Sequence, residues 1–121
     1  MNFAQLLKEL RVRKRLTLRD CADALDVDPS NWSKFERGIL PAPKDEEVLS
    51  AWAEFFGLHA SDRQEFLDAA ALSRNQLPAD LAADPALMAK LPAFFRAMRG
   101  KELEGEKLDA FVEDLRKLHR P

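Results

Sequence analysis

Residues 17–38 carry two helix starts and one stop in a span too short for any regular structure but two brief helices. Thr17-Leu18-Arg19-Asp20 sets an N-cap hydroxyl three residues before an acid, so each can satisfy a free backbone N–H of the first turn. The helix it opens is expected to close near Leu25, with Asp26-Val27 as the turn. Asp28-Pro29 opens the next: aspartate caps, and proline at the first helical position has no N–H to waste. Gly38 stops it. The flanks repeat the pattern. Phe3, Leu6, Leu7 and Leu10 follow i, i+3, i+4, i+7 and mark a first helix reaching about Arg15. Val48, Leu49, Trp52, Phe55 and Phe56 give an apolar side to a fourth helix, led by Asp45, Glu46 and Glu47, whose charge suits the positive helix end. Ser61-Asp62-Arg63-Gln64 reads as a capping box for a fifth, faced by Phe66, Leu67, Ala70 and Ala71. Tyrosine is absent and no stretch alternates apolar and polar residues for long, so the expected class is all-α.

Five helices by residue 73 make a complete small domain, and the expected division is 1–73 and 74–121. In the second part Pro78, Pro85 and Pro92 are expected to break the chain into short pieces. Phe94, Phe95 and Met98 follow, and Leu108, Phe111, Val112, Leu115 and Leu118 line a closing helix. So apolar an extension needs a surface to pack on: the first domain, a second copy, or another protein. No apolar run approaches the ~18 residues of a membrane span, and the start lacks the basic-then-apolar order of a secretion signal. One cysteine, Cys21, excludes an internal disulfide. These features lead us to expect a cytoplasmic protein without a membrane role.

The net charge of −2 conceals an asymmetry. Residues 1–19 hold Lys8, Arg11, Arg13, Lys14, Arg15 and Arg19 against Glu9 alone, a balance of +5, so the remainder sums to −7. A basic end on an acidic body can meet a polyanion with one face, or such a run can simply be solvated. The 17–38 segment adds a geometric reason to favour the polyanion. Two short helices joined by about three residues form a helix-turn-helix, whose second helix enters the DNA major groove. Ala22 is small enough for the helix crossing, and Cys21, Leu25, Val27, Trp32 and Phe35 supply the inner surface. At 100° per residue from Ser30, Ser33, Lys34 and Arg37 fall at about 300°, 40° and 340°, a single stripe. Trp32, Phe35 and Glu36 fall opposite, at about 200°, 140° and 240°. The outward stripe of two hydroxyls and two cations, with Asn31 beside it, has the donors and acceptors that base edges and phosphates require.

On these residues the chain resembles the lambda-repressor-like (Xre-type) helix-turn-helix family over residues 2–73. The pattern is Leu10-Arg11, Leu16-Thr17, Ala22, Leu25, Val27 and Ser33-Lys34-x-Glu36-Arg37-Gly38. The resemblance implies a five-helix domain with a short helical C-terminal extension, binding double-stranded DNA. It assigns base contacts to Ser30, Asn31 and Lys34. Thr17, Arg19, Ser33, Arg37, Lys44 and Arg13 are expected at backbone or base, Arg13 with solvent as its alternative. It also implies a structural ion pair between Arg11 and Glu36. Two positions depart from the pattern: Leu18 stands where the family often has glutamine, leaving Thr17 and Arg19 to hold the phosphate. Asp26 stands where the turn often has glycine. The stretch Leu77-Pro78 … Leu91-Pro92-Ala93-Phe94-Phe95-Arg96 is similar to tails of regulators encoded beside a partner protein, including antitoxins and regulators paired with a metallopeptidase.

The remaining residues have structural readings. Trp32 lies opposite the stripe and is expected in the core, and Cys21 is expected to be a buried small hydrophobe. His59 and His119 stand alone, without a metal-spaced set. No phosphate loop or nucleophile elbow is present, so neither an enzyme nor a cofactor is expected. The function expected is a sequence-specific regulator, a repressor acting as a homodimer on a palindromic operator. The alternative is an antitoxin-like inhibitor that caps a toxin or other partner through the extension.

Overall fold

The computed structural model describes residues 1–100 and 104–118, and among them it contains helices and no strand. In order these are α1 (Phe3–Arg13), α2 (Leu18–Ala24), α3 (Pro29–Glu36), α4 (Glu46–Phe55), α5 (Ala60–Ser73), α6 (Ala79–Ala82), α7 (Pro85–Arg99) and α8 (Glu106–Leu118). The chain forms two compact units, Met1–Leu77 and Pro78–Pro121. The first runs past residue 73, where the sequence suggested a boundary. Arg74 donates to the Pro43 carbonyl at 2.7 Å and the Ser73 hydroxyl accepts from the Ala42 N–H at 2.9 Å, so the end of α5 is fastened to the α3–α4 connector.

Local chemistry sets most helix starts. Asn2 and Gln5 cap α1 reciprocally, and Thr17 and Asp20 do the same for α2, at 3.0 and 2.9 Å. Asp28, Asp45 and Asp84 cap α3, α4 and α7 through their carboxylates. The ends share one device. After each of α1 to α5 one residue turns left-handed and the next N–H reaches back to a carbonyl of the last turn, the Schellman closure. The left-handed residues are Arg15, Asp26, Gly38, Gly57 and Asn75, with φ of 60°, 56°, 74°, 68° and 57°. The returning bonds are Leu16 N to Arg11 O, Val27 N to Ala22 O, Ile39 N to Lys34 O, Leu58 N to Ala53 O and Gln76 N to Ala71 O. Leu16, Val27 and Leu58 then drop onto the core.

That core is aromatic and draws on every helix of the first unit. Phe3 stacks on Trp52 with centroids 6.4 Å apart and meets Phe66 at 5.3 Å. Trp32 lies 4.9 Å from Trp52 and 6.3 Å from Phe56, and Phe35 meets Trp52 edge-on at 5.3 Å. Trp32, Phe66, Leu7, Cys21 and Ala22 are wholly enclosed. Truncating such an aromatic costs about 3–5 kcal/mol, so the rotation of α3 about its own axis is fixed by Trp32.

Two expectations fail. The helix α5 is not opened by a Ser61 capping box: it begins at Ala60, and its N-cap, His59, makes no side-chain cap bond. Leu58 must reach the core from the α4 closure, which leaves His59 as the carbonyl that accepts from Asp62 and Arg63. Pro92 does not break the chain either, and sits inside α7. Leu87 and Leu91 are buried on one side of α7, and Phe94 stacks on Phe111 of α8 at 4.9 Å, so packing holds the helix across the missing N–H. Leu115, Leu118 and His119 lie outside the described side chains.

Candidate nucleic-acid interface

The turn between α2 and α3 is built as a close crossing. Ala22 of α2 is fully buried, and Asp26 adopts the left-handed conformation that its short polar side chain tolerates. Pro29 begins α3 behind the Asp28 cap. With Trp32 turned inward, Ser30, Asn31 and Arg37 are exposed, and Ser33 and Lys34 are half-buried along the same outward face. The structure therefore brings the three expected base readers, Ser30, Asn31 and Lys34, onto one side of one helix.

The side chains on this face are less free than a helical wheel implies. Ser30 Oγ donates to Asp28 Oδ1 at 2.6 Å, and the Ser30 backbone N–H donates to the same oxygen at 2.8 Å. These bonds, chiefly the hydroxyl's, hold the Asp28 carboxyl below the usual carboxylate range. Arg37 bends back over Ser33, its Nε 3.1 Å from Ser33 Oγ and 3.3 Å from the Ser33 carbonyl. Ser33 and Arg37 thus act as one unit on the exposed side of α3. Lys34 has no ion-pair partner within 4.0 Å among the described residues.

Behind the stripe, Arg11 donates through Nε and Nη2 to Glu36 at 2.7 and 3.0 Å, and through Nη1 to the Leu16 carbonyl at 2.9 Å. The Trp32 indole N–H donates to the same Glu36 carboxylate at 2.6 Å. The hydrogen bond to Glu36 raises the Arg11 pKa against the opposing effect of burial. Arg11 and Glu36 tie α1, the start of α2 and α3 together, which is scaffold and leaves neither side chain for DNA. The third donor, Trp32, was missed in the sequence, although tryptophan and glutamate four residues apart in a helix are a legible pair.

The expected phosphate contacts lie elsewhere on the first unit. Thr17 and Arg19 are exposed at the start of α2, where the Thr17 hydroxyl already accepts from the Asp20 N–H. Lys44 is exposed directly before the Asp45 cap of α4. Arg13 is engaged by Glu9 at 2.7 Å, an exposed pair that phosphate can displace with little loss. Lys14 lies over the Phe55 ring at 5.3 Å. Among the described residues no group of three or more His, Cys, Asp or Glu is placed to hold a metal ion, and no helix is long and apolar enough to cross a membrane.

Comparison with known proteins bears on the same region. Residues 2–66 match the model of a helix-turn-helix domain family. Over 112 residues the chain is 34% identical to the HTH-type transcriptional regulator DdrOP3 of Deinococcus deserti, an alignment covering 88% of this chain and 85% of that protein. No solved structure gives a significant match.

Proposed function

The chain belongs to the Xre-like helix-turn-helix family and is a DNA-binding transcriptional regulator; from that premise we propose that it represses by binding a palindromic operator as a homodimer. The observation that supports reading of DNA by α3 is its division: Trp32 wholly buried on one side, Ser30, Asn31, Ser33, Lys34 and Arg37 on the other. Each α3 would occupy one major groove, with half-sites about one helical turn, roughly 34 Å, apart. Ser30, Asn31 and Lys34 read bases, while Thr17, Arg19 and Lys44 grip phosphates. The second unit is the element for self-association, since Met88, Phe95, Met98 and Val112 leave apolar surface in solvent.

The test is fluorescence anisotropy of the full chain against its own upstream DNA and a scrambled duplex at two salt concentrations. Selective binding that weakens steeply with salt supports the reading, because phosphate contacts release counterions. Lys34→Ala is expected to cost about 1–3 kcal/mol and relax specificity at one base position, and Lys44→Ala to weaken all duplexes alike. Equal, weak binding to both duplexes sinks it. The same exposed apolar residues favour a second reading, in which the extension caps a partner protein. That reading requires residues 78–121 for co-purification of the partner but not for operator binding.

A further inference from the structure

Asp28 and Ser30 form a closed unit at the entrance of α3. A serine hydroxyl ordinarily offers one proton and two lone pairs, so it meets donors and acceptors on base edges alike. Here the proton is committed: Ser30 Oγ lies 2.6 Å from Asp28 Oδ1, a short charge-assisted bond. The same oxygen accepts the Ser30 backbone N–H, and Asp28 stays ionised well into acid, so it has no proton to return. What Ser30 presents to the outside is therefore its lone pairs.

We infer that Ser30 reads the major groove as a hydrogen-bond acceptor, taking an exocyclic amine of adenine or cytosine, and that Asp28 is the positioning residue that sets this polarity. The inference rests on α3 being the reading helix. Donation by Ser30 to a guanine or thymine keto oxygen requires breaking the bond to Asp28 and bringing that oxygen towards a carboxylate. Lys34, one turn later, is a donor only, so the two neighbouring readers have opposite and fixed polarity. A half-site that satisfies both offers an amine to Ser30 and an acceptor, guanine O6 or N7, thymine O4 or adenine N7, to Lys34.

The experiment begins by selecting duplexes from a random pool with the full chain. If no sequence is enriched, the DNA-reading proposal fails, and this inference fails with it. On an enriched site each adenine is replaced in turn by purine, each cytosine by 2-pyrimidinone, and each guanine by 2-aminopurine. The first two lose the amine and the third loses the keto oxygen. Binding of the parent, Ser30→Ala, Ser30→Thr and Asp28→Ala chains is measured by anisotropy, with helix content checked by circular dichroism. The expected result is one amine whose removal weakens the parent about threefold to tenfold. The same change leaves Ser30→Ala unaffected and weakens Ser30→Thr as it does the parent. In Asp28→Ala the hydroxyl is free to donate, so the dependence on that amine shrinks. The inference is overturned if Ser30→Ala keeps the parent's loss at every amine, or if the position coupled to Ser30 is a guanine keto oxygen. An Asp28→Ala chain with the parent's pattern overturns the part given to Asp28.

Discussion

Replacing Glu36 by alanine removes three acceptor contacts at once. The Trp32 indole N–H loses its 2.6 Å partner in a place without solvent, since Trp32 is 0% exposed. An orphaned buried donor costs about 1–3 kcal/mol. Arg11 loses contacts at 2.7 and 3.0 Å but keeps the Leu16 carbonyl. Breaking a buried ion pair from one side costs about 3–5 kcal/mol. The Arg11 side chain is 15% exposed, so water softens that figure and the two losses overlap. We expect a net destabilisation of about 3 kcal/mol. A unit of this size is stable by about 4–11 kcal/mol, and the change lowers its melting temperature by about 12–24 °C. Urea and thermal unfolding followed by circular dichroism measure both. A sign test accompanies the magnitude: Arg11→Leu added to Glu36→Ala should recover part of the loss, because it removes the stranded cation. A Glu36→Ala chain within about 0.5 kcal/mol of the parent would refute the argument that this network holds α3 to α1.

Burial pushes the Cys21 thiol up to about 11, and the residue has no exposed surface. Native protein should therefore resist iodoacetamide at pH 8, with labelling read by mass spectrometry tracking unfolding and not thiol ionisation. Arg15 closes α1 in the left-handed conformation with φ of 60°, which disfavours a side chain. Arg15→Gly should accordingly raise stability by about 0.5 kcal/mol in urea titrations, the relief being partly offset by glycine's looser unfolded chain. Asp20 and Asp28 are both held below the ordinary aspartate value of 3.8, by bonds from Thr17 and from Ser30. A depressed carboxylate adds stability that is fully present above the unfolded value and is lost as pH falls through the folded one. Thermal melts between pH 5 and pH 2 should thus show an acid decline that is shallower in Asp20→Asn, whose amide does not titrate.

The helices and the face of α3 were legible in the sequence because their causes are local. Thr17 with Asp20, and Asp28 with Pro29, satisfy backbone groups within four residues, and no distant contact is needed to predict them. Burial of Trp32 followed from its angular separation from Ser30 and Lys34. The helix ends were less legible. Only Gly38 and Gly57 advertise a left-handed closure, whereas Arg15, Asp26 and Asn75 make the same turn. Asp26 tolerates the turn by its short polar side chain, while at α1 the next residue, Leu16, packs on the core, so burial holds Arg15 in a conformation that a long side chain avoids alone. The start of α5 and the passage of α7 through Pro92 have the same origin, since Leu58, Leu87 and Leu91 have buried places that local capping and breaking rules cannot see. The finer chemistry of the interface belongs to the tertiary structure as well. Residue type makes Ser30 and Ser33 equivalent hydroxyls. Their neighbours distinguish them: a carboxylate takes the proton of one, and a guanidinium occupies a lone pair of the other.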